Sequence, residues 1–401
     1  MARQFFLCCF SLALIFCLVN VSVAQMRPES HASQTASSPV QVVYVIESGT
    51  IVTYDIDPQT LTPTQVGSLT LPGLSNTAVL YPSGDDHFLY VYSGNQIQVQ
   101  HLWVFKTDAS GAPLTPATQQ IEVQGFFGFE TDPTAGFVYV VTTTVDGLNN
   151  NKVRIVRYLA DANTGAISQP VTEATYILPN GFGGGTNDCW LYFDGFNAAG
   201  TEMYNDVFCG NHEGIFDTDY KRTVNQQTGA LGPDQQVYTW GNDFGGSESV
   251  RFVNNLMFDF VVPDDWQQGI NYESIYDVGG KTTLLLQCTA TMLYACGNAG
   301  GAKVHSSGQY LFMELAQGQQ TTTEIDRVDL NQKEIGNTGN LIPLAVQQFS
   351  PDGTLVYAQK YAWPAYFIEI YGFDVSTGAV TAGGAISVPN VLNSYFVAER
   401  K

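Results

Sequence analysis

Charged residues are scarce in this chain, and the basic ones are the scarcest. Only 13% of the 401 residues are charged, with 16 Lys and Arg against 37 Asp and Glu, which gives a formal net charge of −21. A surface of that sign repels nucleic-acid phosphates and anionic lipid, so neither is expected as a partner. A hydrophobic content of 44% excludes a chain too polar to fold.

Long hydrophobic runs are also absent, with one exception near the N-terminus. The fifteen residues Phe5–Val19 are almost continuously apolar, and the segment ends in Ser22-Val23-Ala24. This layout predicts a secretory signal peptide over 1–24, and the polar stretch 25–39 is predicted to be a flexible linker. An uncleaved membrane anchor is the alternative, but such a helix spans about 22 Å against a hydrocarbon core of about 30 Å. We therefore expect a periplasmic or extracellular protein with no membrane span after cleavage.

Cysteine is rare beyond the signal region. Of seven cysteines, four remain there: Cys189, Cys209, Cys288 and Cys296. An even number in an exported chain predicts two disulfides. Cys189 and Cys209 lie symmetrically about the predicted turn at Gly200, so we expect them to face each other across a hairpin. No turn lies midway between Cys288 and Cys296, so their pairing stays open. A zinc site is the alternative, although the spacing fits none of the usual ligand patterns.

The motifs of common enzyme classes are missing. The sequence has no Gly-x-Ser-x-Gly segment, no Cys-His nucleophile pattern and no haem-ligand pattern. The histidines, among them His212 and His305, share no metal-ligand spacing, and Asp217–Asp219 lacks the remaining ligands of a calcium loop. We therefore predict structural or surface roles for the histidines, no metal and no cofactor.

Glycine and aromatic residues are abundant instead, and they recur in a fixed pattern. The clearest copy is Phe349–Tyr357, which reads Phe-Ser-Pro-Asp-Gly-Thr-Leu-Val-Tyr, followed by Tyr371–Val380, which reads Tyr-Gly-Phe-Asp-Val-Ser-Thr-Gly-Ala-Val. The first segment predicts a tight turn into an apolar strand, and the second predicts a strand that ends in a Thr-Gly turn. Seven such pairs of strands follow residue 40.

The spacing of these copies predicts the architecture. Turns ahead of the first strand of a pair are expected at Gly84, Gly136, Gly200, about Asn255, Gly308 and Gly353, in steps of 52, 64, 55, 53 and 45 residues. Such steps suit four-stranded antiparallel blades, and continuous apolar strands suit sheets that are covered on both faces. We predict one all-β domain over 40–401, a seven-bladed β-propeller whose ring is closed by the C-terminal strand Asn393–Ala398.

The turn Ser350–Gly353 and the strands Leu355–Tyr357 and Tyr371–Val380 together carry a resemblance. They resemble the seven-bladed lactonase-type propellers, the family that includes 6-phosphogluconolactonase and carboxy-cis,cis-muconate cyclising enzymes, over about residues 42–398. The resemblance implies the propeller fold. In that family a Gly-Pro-Arg-His type segment often precedes the turn and places Arg and His near the central channel. No blade of this sequence supplies that pair, which argues against lactone hydrolysis.

Glycine-rich turns precede the first strands of several blades, and polar side chains follow them. Because the inner strands of a propeller point their ends at the channel, we expect these side chains to meet in one ligand-binding pocket at the channel mouth. The alternative is that they hydrogen-bond exposed backbone or ordered water. The candidate residues are Asn76, Asp188, Glu248, Arg251 and Lys303.

These residues support two functional hypotheses. We expect a non-catalytic binding or interaction module whose partner is an unknown small molecule or a protein, and we expect a monomer. The alternative is a hydrolase that acts on a lactone or sugar-derived substrate through Asp188, Glu248 and Lys303. A redox propeller is a third class, for which the sequence offers no haem-ligand pattern. Whether the protein is an enzyme stays open at this point.

Overall fold

The computed structural model describes residues 40–47, 49–75, 78–93, 100–123, 126–134, 136–145, 151–178, 188–197, 199–210, 215–242, 246–263, 270–291, 302–317, 320–362, 365–388 and 395–400. The regular elements within these ranges are β-strands, and none of the described residues forms a helix that could span a membrane. The predicted signal peptide 1–24 and linker 25–39 lie outside these ranges and remain predictions.

The strands form seven four-stranded antiparallel sheets, which we number as blades in chain order. Blade 1 contains β1 (Val40–Glu47), β2 (Thr50–Ile56), β3 (Pro63–Thr70) and the C-terminal β28 (Tyr395–Arg400). Blade 2 contains β4 (Val79–Pro82), β5 (Phe88–Ser93), β6 (Gln100–Lys106) and β7 (Gln119–Val123). Blade 3 contains β8 (Phe126–Thr131), β9 (Phe137–Val145), β10 (Asn151–Ala160) and β11 (Ile167–Leu178).

The same order continues through the second half of the chain. Blade 4 contains β12 (Asp188–Phe196), β13 (Glu202–Gly210), β14 (Ile215–Thr223) and β15 (Gln235–Asn242). Blade 5 contains β16 (Gly246–Val253), β17 (Leu256–Pro263), β18 (Ile270–Asp277) and β19 (Thr283–Thr291). Blade 6 contains β20 (Lys303–Val304), β21 (Tyr310–Gln317), β22 (Gln320–Asp329) and β23 (Glu334–Ile342). Blade 7 contains β24 (Ala345–Phe349), β25 (Leu355–Ala362), β26 (Ala365–Asp374) and β27 (Ala379–Val388).

Contacts between sheets show that the blades form a propeller. The first strands adjoin one another: β28 contacts β4, β4 contacts β8, β8 contacts β12, and β12 contacts β16. The last strands adjoin in the same way, because β19 contacts β23, β23 contacts β27, and β27 contacts β3. The first strand of each sheet is therefore its inner strand and the fourth is its outer strand. The predicted seven-bladed propeller is confirmed.

The C-terminal strand closes the ring. Strand β28 pairs antiparallel with β1, and Val397 lies opposite Val43. The first blade is therefore built from both ends of the described chain, and this pairing removes two exposed sheet edges. The predicted closing strand is confirmed, with its bounds two residues later than expected.

Hydrogen bonds of its own side chains stabilise the Ser-Pro-Asp-Gly turn at Ser350–Gly353. The hydroxyl of Ser350 accepts a hydrogen bond of 2.9 Å from the N–H of Leu355 and donates one of 2.6 Å to the carboxylate of Asp352. Gly353 adopts a φ of 73°, a conformation that costs glycine little, and its N–H donates to the carbonyl of Ser350. The five other predicted turns also lie between the inner and second strands of their blades, so this part of the prediction is confirmed.

Apolar clusters fill the spaces between neighbouring blades. Between blades 7 and 1, for example, Val43 and Val45 pack with Leu355 and Tyr357, and all four are buried. Alternate residues of a strand point to opposite faces, so each blade contributes to two such clusters. This explains why the strands read as continuous apolar runs, and it leaves the strand ends as the places for polar side chains.

Candidate functional site at the channel mouth

Two of the predicted site residues lie near the beginnings of inner strands, and a third lies near the end of one. Every complete run from inner to outer strand has the same antiparallel order, so the inner strands begin at one end of the channel, which we call the entry mouth. Asp188 is the first residue of β12 and lies opposite the last residue of β13, and Glu248 is the third residue of β16. Lys303 is opposite Phe312, the third residue of β21, so it lies at the other end of its inner strand, beside the turn into β21. Asn76 lies outside the described residues.

Arg251 lies further along the inner strand of blade 5. It is opposite Phe258 of β17, and its side chain is exposed. Its Nη1 donates a hydrogen bond of 2.6 Å to the carbonyl of Val250, the preceding residue. Among the described residues no carboxylate lies within ion-pair distance of this guanidinium, so its charge is available to a ligand.

Lys303 lies on the inner strand of the next blade, and the charge of Arg251 affects its pKa. The ammonium is partly buried, and burial is the main reason that the pKa of Lys303 is lowered from its usual value. The positive charge of Arg251 lowers this pKa further, and the negative charge of Glu314 opposes the shift by a smaller amount. Two cations of adjacent inner strands are therefore close enough to repel each other.

Glu314 is a residue of this site that the sequence did not reveal. Lys303 is opposite Phe312 of β21, and Glu314 is two residues later on the same strand, so both side chains lie on one face of blade 6. Burial raises the pKa of Glu314, and the charge of Lys303 opposes that rise. A carboxylate that directly follows the apolar run Tyr310–Met313 was the available signal.

Two acidic residues, Glu130 and Asp194, lie on the inner strands of blades 3 and 4. Burial raises the pKa of Glu130 in β8 to about 7, and the negative charge of Asp194 in β12 adds to the shift. Asp194 is the extra residue of a β-bulge between Phe193 and Gly195, and a bulge redirects a side chain. Both residues lie toward the ends of their inner strands. They are at the same level of the channel as Lys303, because Glu130 is opposite the third residue of β9 and Lys303 is opposite the third residue of β21.

The cysteine predictions are tested only at the backbone. Cys189 and Cys209 are directly opposite partners on β12 and β13, as the hairpin predicts. Directly opposite residues have the Cα separation that a disulfide accepts, and the bond itself remains a prediction. Cys288 is opposite Glu273 of β18, and Cys296 lies outside the described residues.

His305 has a structural position. Its ring is buried between blades 6 and 7, where Nε2 lies 2.8 Å from the carbonyl oxygen of Gly353. The N–H of Ser307 donates to Nδ1 at 3.1 Å, so Nδ1 is the acceptor and Nε2 carries the proton. His212 lies outside the described residues. Within the described ranges no group of three or more His, Cys, Asp or Glu could hold a metal ion.

Solved structures share this fold. The chain is similar to a candidate 6-phosphogluconolactonase from Bacteroides uniformis, with a TM-score of 0.56 and 12% identity over 90% of this chain and 100% of that one. A candidate 6-phosphogluconolactonase from Bacteroides fragilis has a TM-score of 0.55 and 13% identity over 91% of this chain and 99% of that one. A protein from Lactobacillus plantarum has a TM-score of 0.55 and 12% identity over 90% of this chain and 100% of that one. No protein-family model and no curated protein matches the sequence. The likeness shows the fold of the lactonase-type propellers.

Proposed function

We propose that this protein is an exported propeller that binds a small organic anion in its channel, at the end where the inner strands turn into the second strands. The observation that carries the proposal is the placement of Arg251 and Lys303 on adjacent inner strands, where the charge of one lowers the pKa of the other. Cations are rare in this chain, with 16 basic against 37 acidic residues. Two of them together at a channel mouth are therefore a specific arrangement.

Binding of an anion would relieve the repulsion between these two cations. Like charges within a few ångströms destabilise each other, and a carboxylate or phosphate between them replaces repulsion with two attractions. Arg binds such groups through two parallel hydrogen bonds, whereas Lys binds them as a point charge. Arg251 and Lys303 together suit a ligand with one carboxylate or phosphate.

The acidic residues on the inner strands of the neighbouring blades suit a polyhydroxylated body for that ligand. Glu130 in β8 and Asp194 in β12 lie beside the turns into the second strands of blades 3 and 4. Arg251 and Lys303 lie beside the corresponding turns of blades 5 and 6. Carboxylates and amides accept hydrogen bonds from hydroxyl groups. We therefore propose a sugar acid as the ligand class, held by Arg251 and Lys303 at its anionic end.

Hydrolysis of a sugar lactone is the second candidate, and the position of Glu314 on the same face of blade 6 as Lys303 favours it. Burial lowers the pKa of Lys303 and raises that of Glu314, so each is shifted toward the uncharged form. Groups shifted in this way serve as general bases and acids. The substrate class is the one in the names of the structural neighbours from the two Bacteroides species.

Thermal unfolding of the purified protein with matched probes tests the binding proposal. Gluconate and citrate carry the anionic group, and sorbitol is the neutral partner of gluconate. Because a ligand that binds only the folded state raises the unfolding midpoint, we expect a shift with an anion and none with sorbitol. The shift should disappear in Lys303→Gln and Arg251→Gln and persist in the control Lys281→Gln, whose lysine is exposed in another part of blade 5. Equal shifts in all three variants would contradict the assigned site.

Hydrolysis is tested separately with δ-gluconolactone in a pH-stat. A lactonase should release acid faster than the buffer alone, and Glu314→Gln should return the rate to the background. Acid release at the background rate with the unaltered protein removes the second candidate and leaves the binding proposal intact.

A further inference from the structure

A groove lies between the outer part of blade 6 and the turn that joins β26 to β27 in blade 7. It has a volume of about 350 Å³, within the range of small-molecule sites. Its lining includes Arg327, Asp329 and Glu334 from blade 6 and Thr377 from blade 7. Strand β22 runs parallel to the inner strand β20, so its last residues lie at the same end of the blade as Lys303. The groove is separate from the site proposed above because it is lined by β22 and β23, the two outer strands of the blade.

Glycine makes room for this groove. Gly336 of β23 is directly opposite Arg327 of β22 and lines the groove. A Cβ atom added at Gly336 would meet no other atom within 4 Å. A glycine inside a strand offers no side chain to pack and often marks the close approach of a ligand or another backbone. The space beside Arg327 is therefore open to solvent.

The charges of the groove are separated along the strand. Arg327 and Asp329 lie two residues apart on one face of β22, which puts their Cα atoms about 7 Å apart. Glu334 is directly opposite Asp329, so the two carboxylates form the acidic end. Arg327 makes no ion pair within 4 Å among the described residues. Each end can therefore bind a charge of the opposite sign.

Hydrogen bonds within the turn between β22 and β23 hold the acidic end of the groove in place. The Oδ1 atom of Asp329 accepts hydrogen bonds of 2.9 and 3.0 Å from the N–H groups of Asn331 and Gln332. The turn lacks the Thr-Gly pair found elsewhere, and Lys333 takes the positive φ of 57° instead. This arrangement brings Asp329 and Glu334 into register at the strand ends.

From this geometry we propose that the groove binds a zwitterion of dipeptide length, with the ligand carboxylate on Arg327 and its ammonium group between Asp329 and Glu334. Two extended residues span up to about 7 Å, which matches the separation of the two ends. A single amino acid is too short to reach both ends. The side chains of Asn337, Thr338 and Thr377 line the space between the ends and can hydrogen-bond the peptide group.

Isothermal titration calorimetry with glycylglycine tests this assignment. Glycine is the short control, N-acetylglycylglycine removes the ammonium charge, and glycylglycine amide removes the carboxylate. We expect glycylglycine to bind at least tenfold more tightly than each of the three. No binding of glycylglycine, or equal binding of any single-charge analogue, would overturn the proposal.

Two substitutions locate the binding. Arg327→Gln removes the exposed cation, and Gly336→Val fills the groove at a place where a side chain meets nothing. Each should weaken glycylglycine binding at least tenfold. The matched control is Gly280→Val, because a Cβ at Gly280 in blade 5 also meets nothing within 4 Å. Retained affinity in Arg327→Gln or Gly336→Val would contradict the groove as the site, and circular dichroism confirms that each variant is folded.

Discussion

The hydroxyl of Tyr44 in blade 1 donates a hydrogen bond of 2.7 Å to the carbonyl oxygen of Gly111 in blade 2. The same contact recurs between later pairs of blades, from Tyr90 to Gly165 at 3.0 Å and from Tyr139 to Gly229 at 2.6 Å. The tyrosine belongs to the second strand of one blade and the glycine to the last turn of the next. The two halves of the repeated sequence motif are therefore partners across blade boundaries.

Loss of this contact should destabilise the ring. We expect Tyr139→Phe to lower the free energy of unfolding by about 1 kcal/mol, because a buried carbonyl loses its donor. Tyr310→Phe is the matched control, since the buried hydroxyl of Tyr310 has no hydrogen-bond partner in the structure. Chemical denaturation of both variants checks the difference. A larger loss in Tyr310→Phe than in Tyr139→Phe would be inconsistent with this role of the hydroxyl.

Substitution of the glycine in this contact should lower the free energy of unfolding as substitution of the tyrosine does. Gly165 has a φ of 68°, and a Cβ there would lie 2.6 Å from the ring of Phe88. We expect Gly165→Ala to lower the free energy of unfolding by more than about 1 kcal/mol, through backbone strain and the clash. Gly280→Ala serves as the control, because its Cβ meets nothing within 4 Å. Equal denaturation midpoints for the two variants would show that the turn tolerates a side chain.

Acid should weaken the boundary between blades 6 and 7 through His305. Burial lowers the pKa of His305 below its usual value near 6.5, with the hydrogen bond to Gly353 and the charge of Asp352 opposing the shift. The unfolded state then binds the proton more tightly, so the free energy of unfolding falls as the pH drops below about 6.5. We expect His305→Gln to reduce the difference in this free energy between pH 8 and pH 5. The exposed His87 supplies the control, and an unchanged difference in His305→Gln would contradict the prediction.

Glu130 should produce the opposite pH dependence. Its pKa is raised from 4.5 to about 7 by burial and by Asp194, so the folded state holds the proton more tightly. Stability from this group is present below pH 4.5 and is lost as the pH rises to about 7. Glu130→Gln should therefore raise the free energy of unfolding at pH 8, by on the order of 1 kcal/mol, with little effect at pH 4. Denaturation at both pH values checks this, and a stabilisation equal at the two would argue against titration of Glu130.

The predicted disulfide between Cys189 and Cys209 can be tested by peptide mapping without reduction. We expect the two peptides to be linked, because the cysteines are opposite partners on neighbouring strands. Replacement of both by alanine should then cost about 3 kcal/mol. Free thiols at both positions in protein purified without a reducing agent would refute the bond.

The sequence predicted the blades because each blade repeats local signals. The turn residues around Gly353 and the apolar strand after them identify one hairpin without any distant contact. The closing strand could be predicted because one apolar strand remains after the seventh pair of strands. The opposition of Cys189 and Cys209 followed from a turn midway between them. These inferences needed only short separations along the chain.

The candidate site could be predicted only in part. In the structure Asp188 and Glu248 lie near the beginnings of inner strands, but Lys303 lies beside the turn into β21, and their common pocket remains a prediction. The sequence shows Glu314 as a carboxylate after an apolar run but not its place beside Lys303, because the face that they share depends on the register of β20 and β21. Nor could it reveal the contact from Tyr139 to Gly229, which joins residues 90 positions apart. Such relationships arise from the packing of blades on one another.

The most direct test of the proposed binding site is calorimetric titration of an organic anion into the unaltered protein and into Lys303→Gln. A charge-assisted contact is worth about 1.5 to 3 kcal/mol, so its loss should weaken binding about 10-fold to 100-fold. With gluconate or citrate as the anion, we predict measurable binding that falls by this factor in the variant. Equal affinity of the two proteins, or no binding of either anion to the unaltered protein, would contradict an anion site formed by Arg251 and Lys303.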